Sequence, residues 1–514
     1  MRFTKLFDMV NFMNMTSTVY DVIIAGGGPS GLALASELSA NWSVLVLEKG
    51  IAGQTNRSWF VPRSVVDDNP ALQPFYYGGV TRFLAATFSG GSAIWDARFK
   101  KNAPYPYIKE KELLPHWVNQ VNGRSNGSSV RSNCAYLSHS VDADGVDVAT
   151  SDGVYRGRVL LDCTGYDSPI AKQYKISRDN YYWWSVYGAV GKHPDGLKDL
   201  QVGDYMMWQT FKDTNVDPDA ALQAGRPVFE YEILDENTSF SLILYLRKEQ
   251  VAREDMKAVF EHVIRKEDST QSFHDIEIQE EKFGWYPSGS ISQDLARDRV
   301  IFAGDSACWT TPCGWGMGFI LNNYRTFCQR LSEALTKDTL DEESLREIPK
   351  FDSRGKGEIA LNAIMTHFLS NAPESMLDRF IRLFDASNTT GYIDPIYCEK
   401  IFTLDIEPEE VPIVLKAMLK SFSLKELCGI LPPADYHTLL EAALELGEIA
   451  VQEEIRALFG ENGEPADAIR DGFRFSAATG THGTLSADAA SFSRWFGELK
   501  FTINSDISLV GKLL

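Results

Sequence analysis

The stretch "AGGGPSGLALASEL", Ala25–Leu38, decides the fold class. It follows a short run rich in β-branched residues, Tyr20–Ala25, and continues with apolar residues at helical spacing, so the pattern predicts strand, turn and helix. Gly26, Gly28 and Gly31 form GxGxxG: the first glycine makes the tight turn, the second lets a pyrophosphate approach the backbone, and the third lets the helix pack on the strand. We therefore predict a dinucleotide site at the start of this helix.

The second predicted strand supports this interpretation. "SVLVLEK", Ser43–Lys49, places Glu48 about 20 residues after the glycines, where a carboxylate accepts hydrogen bonds from a ribose. A basic residue there would instead favour a ribose phosphate. The alternative, a glycine-rich structural turn, does not explain the terminal glutamate.

Bulk composition excludes several classes of protein. A chain of 514 residues is long enough for two or three subdomains. Its net charge of -20 and pI near 4.9 argue against a nucleic-acid partner. The 7 cysteines include no CxxC pair and the histidines lack HxxxH or HExxH spacing, so we expect neither a disulfide framework nor a metal site, and a reducing compartment fits best.

Two later glycine motifs distinguish the cofactor. "YRGRVLLDCTGYDSP", Tyr155–Pro169, and "DRVIFAGDSACWTTPCGWGMGF", Asp298–Phe319, each contain an apolar strand that ends in a polar turn. Both resemble the later motifs of two-domain flavoproteins, which implies FAD as the cofactor. In that resemblance the segment Tyr155–Pro169 passes the adenine side and the segment Asp298–Phe319 meets the ribityl chain. The last glycines of Asp298–Phe319 approach the flavin ring beside a helix start. The implied residues are Gly165, Gly304, Asp305, Gly314 and Gly316.

Arg57 is a further cofactor-binding prediction. In "QTNRSWF" it stands where related flavoproteins bring a loop over the cofactor, so we expect either contact with FAD or solvent exposure.

The middle of the chain predicts a β-hairpin. "RPVFEYEIL" alternates strictly, with Phe229, Tyr231 and Ile233 on one face and Glu230 and Glu232 on the other. "SFSLILYL" follows after a turn as a mostly apolar strand. We interpret this segment as part of a substrate-binding sheet.

These motifs together resemble the lycopene cyclase family of flavoproteins, of the plant and cyanobacterial β- and ε-cyclase type. The resemblance runs from about residue 20 to residue 335 and includes the hairpin. It implies that a general acid protonates a terminal double bond of a linear polyene, the carbocation cyclises, and a base removes a proton, with no net redox change. In that family reduced flavin stabilises the cation by its negative charge.

The chain departs from the family at the acidic motif. The cyclases carry Phe-Leu-Glu-Glu-Thr at the end of the second hairpin strand, where this chain has Leu244–Lys248. The closest carboxylates are Glu230 and Glu232, which we predict as the catalytic residues; the alternative is that both are solvated on a polar face. A carboxylic acid in an apolar cavity has a raised pKa and keeps its proton available.

Other reactions remain open. A flavin monooxygenase or halogenase, a prenyl reductase and a non-catalytic flavoprotein paralogue all share the glycine motifs. We expect an apolar small-molecule substrate, and electrons from NAD(P)H or a reductase.

The predicted organisation is α/β: a Rossmann-type FAD-binding domain interleaved with a mixed β-sheet substrate domain, followed by helices. We expect a cytoplasmic or peripheral membrane protein, or a plastid one if the N-terminus is a transit peptide. The expected segments are an N-terminal extension at 1–19, the two interleaved domains at 20–336 with the sheet at about 181–290, a helical region at 337–460 and an unassigned tail at 461–514.

Overall fold

A computed structural model describes most of the first 385 residues and a few positions beyond them. The described residues are 15–55, 57–87, 90–96, 105–176, 182–197, 199–210, 227–288, 295–309, 316–349, 365–385, 393–394, 397, 421–422, 426 and 429–430.

The strands lie in the first three hundred residues. They are β1 Met15–Ala25, β2 Val44–Leu47, β3 Tyr76–Val80, β4 Arg82–Ala86, β5 Ser92–Asp96, β6 Tyr105–Ile108, β7 Ser129–Arg131, β8 Tyr136–Val141, β9 Val146–Thr150, β10 Gly153–Asp162, β11 Tyr182–Lys192, β12 Asp204–Gln209, β13 Val228–Asp235, β14 Thr238–Arg247, β15 Glu277–Ser288, β16 Ala296–Arg297 and β17 Val300–Phe302.

The helices alternate with these strands. They are α1 Pro29–Leu38, α2 Arg63–Asp68, α3 Glu110–Asn122, α4 Pro169–Gln173, α5 Arg253–Lys266, α6 Gly316–Lys337, α7 Glu342–Arg346 and α8 Glu374–Arg382, with 3-10 turns at Pro70–Phe75, Asp268–Phe273 and Gly304–Ala307.

The first sheet has a parallel centre. Its order is β16-β17-β10-β1-β2-β7, with β9 and β8 added antiparallel beside the first half of β10. β1 and β2 are almost wholly apolar where they pair, because both of their faces are covered. α1 follows β1 and packs against α3 and α6. The predicted strand, turn and helix are therefore confirmed, and the Rossmann-type α/β fold class with them.

The second sheet is mostly antiparallel and forms the predicted hairpin. Its order is β15-β11-β14-β13-β12-β4-β5, and the pair β12 and β4 is parallel. One face packs on α5 through an apolar cluster that includes Phe229, Tyr231 and Phe260. The sheet also contains β4 and β5, which lie outside the range 181–290 that the sequence indicates.

The described C-terminal residues end against this sheet. α8 meets the β4–β5 turn, where Asp378 accepts hydrogen bonds from the Thr87 hydroxyl at 2.5 Å and the Gly91 backbone at 2.8 Å. Beyond residue 385, the helical region predicted at 337–460 lies outside the described residues apart from isolated positions, and so does the whole tail at 461–514. In the described part of the chain, no helix is both long and apolar enough to cross a membrane.

Candidate active site

One cavity of about 640 Å³ joins the glycine motif to the second sheet. Gly28 and Glu48 line it at the parallel sheet, and Glu230 and Glu232 line it at the antiparallel sheet. The two groups of predicted residues, about 200 positions apart in the sequence, therefore face one space.

The glycines of the first motif stand where a side chain would collide with backbone. Gly26 has φ +110°, and a Cβ there would lie 2.0 Å from the Cys163 carbonyl oxygen. A Cβ on Gly31 would lie 2.0 Å from the Gly26 oxygen. Gly28 differs, because a Cβ there would meet nothing within 4 Å. Gly26 and Gly31 thus permit close packing of the turn. Gly28 leaves the cavity open at the helix start, as a phosphate requires.

Glu48 is fixed at the end of β2. Its Oε2 accepts a hydrogen bond from the Gly27 backbone N–H at 2.8 Å, and its Oε1 accepts one from Gly50 N–H at 2.8 Å. Each carboxylate oxygen can accept a second bond. The carboxylate is therefore oriented at the cavity edge, as a ribose-binding residue requires.

The motif at Tyr155–Pro169 contains a turn that Asp162 holds by hydrogen bonds. The Thr164 backbone donates to Asp162 Oδ1 at 3.0 Å, and the Ser168 hydroxyl donates to the other carboxylate oxygen. Gly165 follows with φ +85° and lines the cavity. Thr164 and Asp167 of the same turn also line the cavity.

The motif at Asp298–Phe319 lies against the start of α1. Gly304 has φ +68°, and a Cβ there would lie 2.3 Å from the Ser30 hydroxyl oxygen at the start of α1. Asp305 and Gly316, the first residue of α6, line the cavity. Gly314 lies outside the described residues.

Arg57 bridges the two sheets at the cavity. Its Nη1 lies 3.7 Å from Asp305 Oδ2, and its Nη2 donates to the Trp285 carbonyl at 3.4 Å. The side chain is 44% exposed and lines the cavity, and its contact with FAD stays a prediction.

Glu230 and Glu232 are buried, not solvated. Each residue is 8% exposed, and the face of β13 that carries them forms part of the cavity wall. The Tyr205 hydroxyl on β12 donates to Glu230 Oε2 at 2.9 Å. The polar alternation of this strand therefore does not indicate a solvent-facing surface.

Burial changes the protonation of both carboxyls. Loss of solvation raises the pKa of Glu230 well above its usual range, and the neighbouring Glu232 carboxylate raises it further. Loss of solvation raises the pKa of Glu232 to about 8, although Lys282 and the Tyr107 hydroxyl oppose the shift. Both carboxyls therefore ionise less readily than a solvated glutamate.

Sequence reasoning missed Lys282 and Tyr205. Lys282 lies on β15, is 8% exposed and lines the same cavity. Its Nζ is 3.4 Å from Glu280 Oε1 and 5.9 Å from the centre of the Phe240 ring. The local pattern "EEKFGW" resembles an exposed strand, so no signal in it indicates a buried lysine. We refer to Tyr205, Glu230, Glu232 and Lys282 as the polar cluster.

Metal ligands do not gather here. Among the described residues no group of three or more His, Cys, Asp or Glu side chains could hold a metal ion.

Comparison with curated proteins gives partial matches. The chain is 31% identical over 164 residues to a rifampicin monooxygenase of Streptomyces venezuelae, covering 30% of this chain and 33% of that protein. It is 25% identical over 282 residues to the chloroplastic lycopene beta cyclase of Arabidopsis thaliana, covering 50% of each. The chain thus spans a third to a half of these relatives' length. No family model matches it.

Solved structures show the fold over more of the chain. A geranylgeranyl bacteriochlorophyll reductase-like protein of Thermoplasma acidophilum aligns with a TM-score of 0.62 at 14% identity, over 81% of this chain and 100% of that one. Halogenase PltM in complex with phloroglucinol and FAD aligns with a TM-score of 0.52 at 12% identity, over 89% and 95%. The predicted Rossmann-type α/β fold agrees with both neighbours, of which the halogenase structure contains FAD.

Proposed function

We propose that this chain is an FAD-dependent enzyme that acts on an apolar, polyene-type small molecule by acid-catalysed cyclisation or isomerisation. One observation carries the proposal: two buried carboxyls, Glu230 and Glu232, line the same cavity as the glycine cradle formed by Gly26, Gly28 and Gly31. An ordinary surface hairpin has no reason to hide two adjacent glutamates, because burial of each costs solvation free energy.

The cradle fits the dinucleotide part of FAD. Gly28 leaves open space at the N-terminus of α1, where backbone N–H groups and the helix dipole favour a pyrophosphate. Glu48 offers a carboxylate to a ribose, and Asp305 and Gly316 lie farther along the cavity. When bound in its reduced form, FAD would supply negative charge that stabilises a cation in the cavity.

Glu232 is the proposed proton donor. A pKa of about 8 leaves it protonated at neutral pH yet able to release the proton, as a general acid must. Burial also raises the pKa of Glu230, which accepts a hydrogen bond from the Tyr205 hydroxyl on the same wall of the cavity. The apolar wall, which includes Val186, Leu242 and Leu244, excludes water from the protonated substrate.

Oxygenation is the second proposed function. It is favoured by the 31% identity to the rifampicin monooxygenase over 164 residues. The identity to the cyclase is lower, 25%, over a longer segment of 282 residues. The same cavity would then hold the substrate, and the glutamates would assist binding.

Anaerobic incubation separates the two. The holoprotein with its flavin reduced is incubated with lycopene and, separately, with pseudoionone, a linear polyene ketone. A product of unchanged mass and altered retention, lost in Glu232→Gln but retained in Glu236→Gln on the exposed hairpin turn, supports cyclisation. Absence of product in folded, fully flavinated protein contradicts cyclisation, and product that gains an oxygen atom only in air supports oxygenation.

A further inference from the structure

The wall of the cavity formed by the second sheet changes character along its length. Strand pairing places Leu244 opposite Val186, and Val186 opposite Gly284, so this level of the wall is apolar. The next level differs. There Glu230 pairs with Leu242, Leu242 with Gly188 and Gly188 with Lys282.

The following level is polar as well. Phe240 pairs with Glu232, and Glu232 with Tyr205 on the neighbouring strand. The Tyr205 hydroxyl donates a hydrogen bond to Glu230, so the two polar levels are linked. The polar cluster therefore occupies one end of a wall whose other end is apolar.

Gly188 lies between Lys282 and Leu242 in the strand pairing and is tightly packed there. A Cβ at this position would lie 2.6 Å from Leu242 Cβ, so no larger residue fits without movement.

The cluster is rich in hydrogen-bond donors. Protonated carboxyls and an ammonium group are donors, and an ammonium group has no acceptor. A hydrocarbon ligand offers these donors no acceptor, whereas a ligand oxygen does. A ligand oxygen at this end would accept hydrogen bonds from the cluster.

We propose that the substrate of this site is an apolar polyene-type molecule with a carbonyl oxygen at one end, and that Lys282 with Glu230 and Glu232 recognises that oxygen. The inference rests on the proposed function for its substrate class, but it concerns binding and not turnover. It distinguishes this chain from an enzyme that accepts a hydrocarbon throughout, because recognition of a polar group makes its absence costly.

A binding titration tests the inference without requiring turnover. Pseudoionone and the hydrocarbon of the same carbon skeleton, with a methylene in place of the carbonyl, are titrated into the oxidised holoprotein. Quenching of tryptophan fluorescence reports occupancy, since Trp59 and Trp285 line the cavity. We expect the ketone to bind about tenfold or more tightly than the hydrocarbon, the ratio expected from one hydrogen bond to a charged group.

Substitution of Lys282 sharpens the test. In Lys282→Met the preference for the ketone should fall to about twofold or less, while hydrocarbon binding persists. Lys111→Met is the matched control: Lys111 is 68% exposed and lies 3.9 Å from the same Glu280, outside the cavity, so the preference should remain. Lys282→Gln, which keeps a donor, should retain part of the preference if Lys282→Met does not fold.

The outcomes separate the two proposals. Equal affinity for ketone and hydrocarbon, no measurable binding of the ketone, or an unchanged preference in Lys282→Met would overturn the inference about the carbonyl. A clear ketone preference with no cyclised product in the anaerobic assay would support the inference and contradict only the reaction proposed above.

Discussion

The glycine cradle and the polar cluster face one cavity but are built from different contacts. In the cradle, Gly26 and Gly31 allow close backbone contacts within one strand–turn–helix unit and with the end of β10, the parallel neighbour of β1. In the cluster, Tyr205, Glu230 and Lys282 come from three strands of one sheet, and β14 and β11 lie between the strand of Glu230 and that of Lys282.

The difference teaches what local sequence can reveal. A position where a Cβ would lie 2.0 Å from a backbone oxygen admits only glycine, so the requirement is visible in the sequence itself. A buried glutamate has no such signature, because the residue type is the same on a solvated face and in a cavity. Four predictions test this contrast, from the largest expected effect to the smallest.

Gly26→Ala should disrupt the cradle. The new Cβ would collide with the Cys163 carbonyl at a positive φ, so we expect a loss of at least about 3 kcal/mol in the free energy of unfolding, together with loss of bound flavin. Denaturant unfolding and flavin absorbance after gel filtration measure both. Gly28→Ala is the control: its Cβ meets no protein atom, so the apoprotein should stay as stable as wild type while cofactor affinity falls. Wild-type stability in Gly26→Ala would contradict the packing argument.

Glu232→Gln should affect turnover far more than folding. The amide keeps the size and neutrality of the protonated acid but cannot release a proton, so we expect kcat to fall about 10²- to 10⁴-fold. Steady-state kinetics on any accepted substrate measure the change, with Glu236→Gln as the exposed control on the same hairpin. An unchanged kcat would remove Glu232 from the reaction.

The stability of the protein should depend on pH through the polar cluster. The pKa of Glu232 rises from 4.5 to about 8 on folding, so the folded state binds the extra proton. The resulting stabilisation is fully present below pH 4.5 and is lost as pH rises through about 8, with a slope of at most about 1.4 kcal/mol per pH unit.

The comparison is the free energy of unfolding of wild type and Glu232→Gln between pH 5 and about 8. The difference between the two proteins should shift steadily in favour of the variant as pH rises. A constant difference across this range would mean that Glu232 titrates normally and faces water.

Arg57→Ala should have the smallest effect on stability. The pair with Asp305 spans 3.7 Å and Arg57 is 44% exposed, so its loss should cost less than about 1 kcal/mol. Thermal unfolding of the apoprotein measures this, with exposed Arg124→Ala as control. Weaker flavin binding in Arg57→Ala alone would assign Arg57 to the cofactor and decide between the two alternatives for this residue.

Much of the cradle was predictable from the sequence. Gly26, Gly28, Gly31 and Glu48 follow from spacing in one βαβ unit, and the structure places them around one turn. Gly165 and Asp305 depended on a resemblance, and they line the same cavity. The hairpin was also predictable, because strict alternation of apolar residues has a period that only a strand matches.

The sequence by itself determined the α/β fold class, the glycine turn and the alternation of the hairpin, because each depends on backbone sterics or periodicity between near neighbours. Only the tertiary structure decided that the glutamate face of β13 is buried, that Lys282 joins it, and that both share a cavity with the cradle. Burial depends on what packs above a strand, and those elements lie far away in the chain.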